Sequence, residues 1–215
     1  ELTQRDSDDF FVWSDEYFGD MDGDHVGERP VSRIPDGRDA GLLLTALQAK
    51  SAAPQERFGV RNIARPFAES IWTDLPGRRA LNASRDYLSA HASAPETEAG
   101  CQYFMLHGSD VDASVFSGED GSIYTRAFTI QNVPPTFSGL VFSGCCWGAL
   151  SVSQKAVEIG DRPPAPRIAE RSIALSYLKA GANAFVGCTG AHYSGPDTDP
   201  DVNYALPLHS AFWKA

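Results

Sequence analysis

The chain has 215 residues, with 18 Lys plus Arg against 28 Asp plus Glu, a formal net charge of −10 and 42% apolar residues. That length and composition fit one globular domain with a real core and argue against a disordered chain. The acidic balance excludes a general nucleic-acid or anionic-membrane partner, which would need an excess of Lys and Arg, and no apolar run approaches a membrane span.

Residues 1–35 are an acidic segment rich in aromatic residues, among them Asp8, Asp9, Phe10, Phe11, Trp13, Asp15, Tyr17 and Phe18. It lacks clean periodicity, which predicts ordered loop with short strands; Arg29 to Ile34 is a strand candidate ended by Pro35. Asp36 to Ser51 reads as a helix with Asp36 or Asp39 as its cap and Leu42, Leu43, Ala46 and Leu47 as its apolar stripe. Phe58 to Ile63 is strand-like, and Pro66 suits the first turn of a helix carrying Phe67, Ile71, Trp72 and Leu75. Pro76-Gly77 stops it.

Three short runs then follow, apolar on both faces: Tyr103 to Leu106, Leu140 to Phe142 and Ala184 to Val186. Such runs are how buried parallel strands read, and here each ends in small or reactive residues: His107-Gly108, Ser143-Gly144-Cys145 and Gly187-Cys188. Ile168 to Ala180 predicts a helix stopped by Gly181, and Asn203 to Lys214 a final helix despite Pro207. The alternation gives an α/β fold: a three-layer sandwich with a mostly parallel sheet.

Cys101, Cys145, Cys146 and Cys188 are too few for a disulfide scaffold, and two of them are adjacent, so they read as thiols. Neighbouring strand ends converge in a parallel sheet, so His107 and a cysteine after the Leu140 run can meet. A thiol needs a nearby base or cation to be nucleophilic at neutral pH, and imidazole serves as both. Gly108, Gly144 and Gly148 leave room for backbone to approach a substrate and free amides for an oxyanion hole. Two frames stay open. A His-before-Cys order makes Cys145 the nucleophile, whereas Gly144-Cys145-Cys146-Trp147-Gly148 also fits a nucleophile elbow, with Cys146 attacking and His192 or His209 as base. The bland alternative is a buried structural thiol beside a satisfied histidine. Ala191 to Pro196, beyond the third run, can line the same cleft.

Asp20, Asp22, Asp24 and Glu28 fall at positions one, three, five and nine of a tight loop with Gly23 at four, and the Val26 carbonyl can supply position seven. Alternate carboxylates in a turn converge on one point, which suits a hard cation such as Ca²⁺. His25 at position six and the lack of Glu at twelve exclude an EF-hand loop.

Taken in order, these residues resemble the gingipain-type cysteine peptidases, relatives of the caspases, clostripain and separase. "YFGDMDGDHVGERPVSRIP" is similar to the family's acidic loop and following strand, and "RDAGLLLTALQAK" to its next helix. "YFMLHGS" resembles the strand carrying the catalytic His-Gly, and "LVFSGCCWGAL" the strand delivering the nucleophile. "RIAERSIALSYLKAGANAFVGCTGAHYSGP" is similar to the helix, strand and loop that follow. The resemblance implies a caspase-hemoglobinase-like fold and a cysteine endopeptidase that cuts a polypeptide after a basic residue.

Carried over residue by residue, it makes Cys145 the nucleophile, His107 the catalytic histidine and the Gly108 and Cys145 amides the oxyanion donors. It makes Tyr193 the lid aromatic, with His192 beside it. Glu69 is the local choice for the third, acidic residue, and Asp110 and Asp112 for the acid that receives a basic side chain. Asp20, Asp22, Asp24 and Glu28 become calcium ligands. Cys146 and Trp147 depart from the family's usual residues after the nucleophile. The start at Glu1 and the end inside a predicted helix lead one to expect residues 36–215 to be the catalytic core of a longer polypeptide with further domains. The family leans towards secretion, and no signal peptide is visible. A glutaminase or esterase-like hydrolase using Cys146, and an inactive calcium-binding peptidase-like interaction module, are the competing expectations.

Overall fold

The structure, a computed structural model, describes residues 15–35, 40–50, 54–151, 168–194, 203 and 205–215. Its centre is a five-stranded parallel sheet. The strands are β1 (Arg57–Asn62), β2 (Asn82–Ser84), β3 (Cys101–Met105), β6 (Leu140–Ser143) and β7 (Ala184–Gly187), in the order β2-β1-β3-β6-β7. Between β3 and β6 an antiparallel hairpin is inserted, β4 (Val115–Asp120) with β5 (Ile123–Thr129). The helices are α1 (Glu16–Gly19), α2 (Gly41–Gln48), α3 (Ala68–Trp72), α4 (Ala94–Thr97), α5 (Ile173–Ala180) and α6 (Ala205–Lys214).

The layering follows from the two-residue period of β3. Cys101, Tyr103 and Met105 point to one face and pack with Ala68, Ile71 and Trp72 of α3 and with Ala205, Phe212 and Trp213 of α6. Phe104 and Leu106 point to the other, against Ile173 and Tyr177 of α5 and Phe116 and Phe128 of the hairpin. All five residues of β3 are buried, as a parallel strand covered on both faces requires. Removing a side chain such as Phe104 from water contributes about 2 kcal/mol. Gln102 is a polar residue buried in this core. Its amide nitrogen donates to the Thr97 and Ala99 carbonyls and its oxygen accepts from the Tyr177 hydroxyl, so its burial leaves it satisfied. The α/β sandwich expected from the apolar runs is what forms.

Several boundaries differ from expectation. Arg29 to Ile34 forms no strand; among the described residues it has no sheet neighbour to pair with. The Ile168–Ala180 helix is split: a 3₁₀ turn covers Ala169–Arg171, and α5 starts only after Ser172, whose hydroxyl accepts from Leu175 N–H at 3.3 Å as an N-cap. It ends at Gly181, whose φ of 105° only glycine adopts without strain. In α6, Pro207 is the third residue, where a missing N–H breaks no intrahelical bond. The expected caps Asp36 and Asp39, the aromatic residues before Ser14, and Gly195 and Pro196 lie outside the described residues. Among the described residues, no helix is long and apolar enough to cross a membrane.

Candidate active site

From β1 the chain runs outward to β2, and from β3 it runs the other way to β6 and β7, so the order switches between β1 and β3. The crevice at the carboxyl ends of strands at such a switch is where open α/β sheets bind ligands. Asn62 ends β1, His107 follows β3, and Cys145 follows β6.

His107 is anchored through its backbone first. Its N–H donates to the Ser117 carbonyl at 2.8 Å and its carbonyl accepts from Ser117 N–H at 2.9 Å, which ties the end of β3 to β4. Two residues further along β4, Glu119 reaches the ring: Oε2 lies 3.1 Å from His107 Nε2. Asn62 Nδ2 lies 2.9 Å from the same nitrogen and donates to Glu119 Oε2 at 3.1 Å. Tyr124 of β5 stands edge-on to the imidazole, with ring centres 4.9 Å apart. Burial lowers the His107 pKa, the Glu119 carboxylate opposes that, and the Arg65 guanidinium adds to it. Glu119 is held below its usual value, chiefly by its hydrogen bonds to His107 and Asn62.

Gly108 joins the histidine turn to the cysteine turn. A Cβ there would sit 1.9 Å from the Cys146 carbonyl oxygen and 3.4 Å from Cys145 Cβ, so only glycine allows the two turns to touch. His107 and Cys145 are thereby brought to adjacent strand ends, as expected. The thiol itself is turned inward. Cys145 is 0% exposed and packs with Phe104 and Ile173. Its sulfur approaches the Phe104 carbonyl at 3.9 Å. Burial pushes the thiol up to about 12, against the opposing pull of the Ser143 hydroxyl and the Leu106 amide. The Cys145 amide, an expected oxyanion donor, is directed at Ser143 Oγ, 3.4 Å away.

In front of His107 lies a cleft of about 270 Å³ lined by His107, Gly108, Ser109, Val115, Ser117 and Tyr124. Asp110 and Asp112 are not in its wall, contrary to expectation. Asp112 instead closes a local turn by accepting from the Ser114 N–H and hydroxyl. Tyr193 is 51% exposed and is not in the wall either; Tyr124 is the aromatic residue there. Glu69 is displaced from the site too. It pairs with Arg61 at 2.9 Å on the outer side of α3, and the carboxylate on the imidazole is Glu119.

Among the described residues, no hydrogen bond joins the Cys146 thiol of the elbow frame to an imidazole ring. Cys146 Sγ meets the backbone of His192, accepting from its N–H at 3.3 Å and facing its carbonyl at 3.8 Å, not its ring. The His192 ring stacks on His209 at 5.1 Å, and His209 Nδ1 lies 3.0 Å from the Tyr103 hydroxyl. Burial depresses both, to about 4 for His192 and about 3 for His209. All four cysteines are free thiols.

Away from the cleft, the acidic loop closes as its spacing predicts. Carboxylate oxygens of Asp20, Asp22, Asp24 and Glu28 lie within 4.8 Å of one another. Asp20 accepts from the Gly23 and His25 amides, Glu28 from Met21 N–H and Asp24 from Val26 N–H. The Gly23 amide, above all, holds the Asp20 carboxyl below its usual value. The chain matches no family model, no curated protein and no solved structure.

Proposed function

We propose that this chain is a cysteine endopeptidase of the gingipain type, with Cys145 as nucleophile and His107 as its acid and base. One observation carries the reading: the switch point brings His107 and Cys145 to adjacent strand ends, with the Glu119 carboxylate on the imidazole. The order of the His and Cys strands in the sequence supports it. In this mechanism the Cys145 thiolate attacks the scissile carbonyl, His107 protonates the leaving amine, and water hydrolyses the thioester with His107 as base. A buried thiol with its pKa pushed up to about 12 does not attack as it stands, so substrate binding has to turn Cys145 outward.

The burial of Cys145 also favours a second reading, an inactive peptidase-like module. Electrophilic peptides ending in Lys, Arg or Asp, followed by mass spectrometry of the modified cysteine, separate the two. Modification of Cys145 supports the peptidase. Modification of Cys146 alone, or of neither, overturns it.

We extend the reading to the acidic loop, where Asp20, Asp22, Asp24 and Glu28 form an oxygen-only donor set of the kind a calcium ion takes. A bound ion would fix the loop by offsetting four clustered negative charges. Calorimetric titration with Ca²⁺ is expected to give binding that Asp24→Asn weakens at least about tenfold, and no heat with the wild-type chain sinks the extension.

A further inference from the structure

Three side chains distant in sequence meet at one ring nitrogen. Asn62 Nδ2, Glu119 Oε2 and His107 Nε2 form a triangle with sides of 2.9, 3.1 and 3.1 Å. The Asn62 amide is not free to turn over: its Oδ1 accepts from Ala64 N–H at 2.8 Å, so its nitrogen faces the ring. Asn62 is 0% exposed, so water does not take the place of its amide. A bare Nε2 can only accept, and the Asn62 amide is the donor within reach. A protonated Nε2 can only donate, and the Glu119 carboxylate is the acceptor within reach. Nε2 therefore keeps a partner in either tautomer, and the ring need not rotate when a proton moves on or off Nδ1.

We propose that Asn62 and Glu119 are the positioning residues of His107, a two-way clamp on Nε2 that leaves Nδ1 as the nitrogen exchanging protons with the substrate. The use of the clamp rests on the peptidase reading; its existence does not. In acylation the Cys145 thiol first gives its proton to the ring. Sγ then bonds to the scissile carbon, the carbon–nitrogen bond breaks, and the leaving nitrogen takes the Nδ1 proton of the imidazolium. The ring ends neutral, with its remaining proton on Nε2 donated to Glu119. In deacylation water attacks the thioester carbon, its proton goes to Nδ1, and Cys145 leaves as thiolate.

The charged and titratable groups around the ring are Glu119 on β4, Tyr124 on β5, Arg65 in the loop after β1 and Cys145 after β6. Of these, Glu119 supports the protonated ring and Arg65 opposes it. Two substitutions should therefore act in opposite directions. Glu119→Gln removes the charge that favours imidazolium, so the His107 pKa falls. Asn62→Asp keeps an oxygen for Ala64 N–H and replaces the donor on Nε2 with a carboxylate, so the pKa rises.

NMR titration of the full chain with ¹³C,¹⁵N-labelled histidine, with His107 assigned from a His107→Gln sample, reads both. Shifts of opposite sign support the clamp. No shift, or shifts of the same sign, overturn it, because side chains that do not sit against the ring in solution would leave its pKa unmoved. If circular dichroism shows Glu119→Gln unfolded, Asn62→Asp decides alone by whether its shift is upward. The acid limb of Cys145 inactivation by a peptidyl chloromethyl ketone should move with the NMR pKa. If no ketone modifies Cys145, the peptidase reading fails while the titrations still decide the clamp.

Discussion

His107 and the His192–His209 pair lie at the carboxyl end of the same sheet, and their surroundings differ in kind. The His107 ring contacts polar and aromatic groups, Asn62, Glu119 and Tyr124, and faces the open cleft. His192 and His209 stack on each other beside Tyr103 and Phe142, and among the described residues the buried His192 Nε2 has no hydrogen-bond partner. The first environment supports either charge state of imidazole. The second supports only the neutral one. A histidine that must take and return a proton belongs in the first, and one that fills space under a strand end belongs in the second.

The most severe way to break that contrast is to remove the proposed reacting groups. Cys145→Ala should abolish turnover, a loss of at least about 10³-fold, and His107→Ala should cost about 10²- to 10⁴-fold in kcat/KM. Cys146→Ala should stay within a few-fold of wild type in a fluorogenic peptide assay. If Cys146→Ala is the dead variant instead, the elbow frame is right and the roles of the two histidine clusters are exchanged.

Stability against pH is the next test. His192 and His209 are depressed to about 4 and about 3 in the folded chain, below the 6.5 of an unfolded histidine. The unfolded chain therefore binds more protons between those values, so stability is full above pH 6.5 and is lost as pH falls towards 4 and then 3. At pH 5 the loss is about 2 kcal/mol for each imidazole. Urea midpoints measured from pH 7.5 to 4.5 should fall accordingly. His192→Phe, which keeps a flat ring against His209, should roughly halve the slope. A slope unchanged in that variant would show that the pair is not what acid attacks.

The contrast was only half legible in the sequence. The sheet was readable because Tyr103–Leu106, Leu140–Phe142 and Ala184–Val186 are continuous apolar runs, and residues that follow such runs must lie at strand ends. His107 and Cys145 were found that way. Glu119 was not, because it arrives on a hairpin inserted between two sheet strands, and sequence distance says nothing about which inserted carboxylate folds back. A signal existed: Gly121-Ser122 between alternating segments marks a two-residue turn, and Gly121 at its first position has the positive φ of 62° that such a turn needs. Asn62 carries no signal at all, as a lone polar residue closing a strand. The inward turn of Cys145 was also hidden, since its small neighbours permit either orientation.

Glu69 gives the smallest expected effect and sharpens the comparison between the acid the sequence pointed to and the acid on the ring. It stands about half-exposed against Arg61, where solvent screens the pair. Arg61 keeps its hydrogen bonds to the Asn62 and Ile63 carbonyls when Glu69 is removed, so its guanidinium is not stranded. Glu69→Ala should therefore change stability by no more than about 0.5 kcal/mol and leave turnover as it was, read by urea denaturation and the same peptide assay. A hundredfold loss of turnover on Glu69→Ala, with stability intact, would move the orienting acid back to α3 and leave the Glu119 contact a bystander.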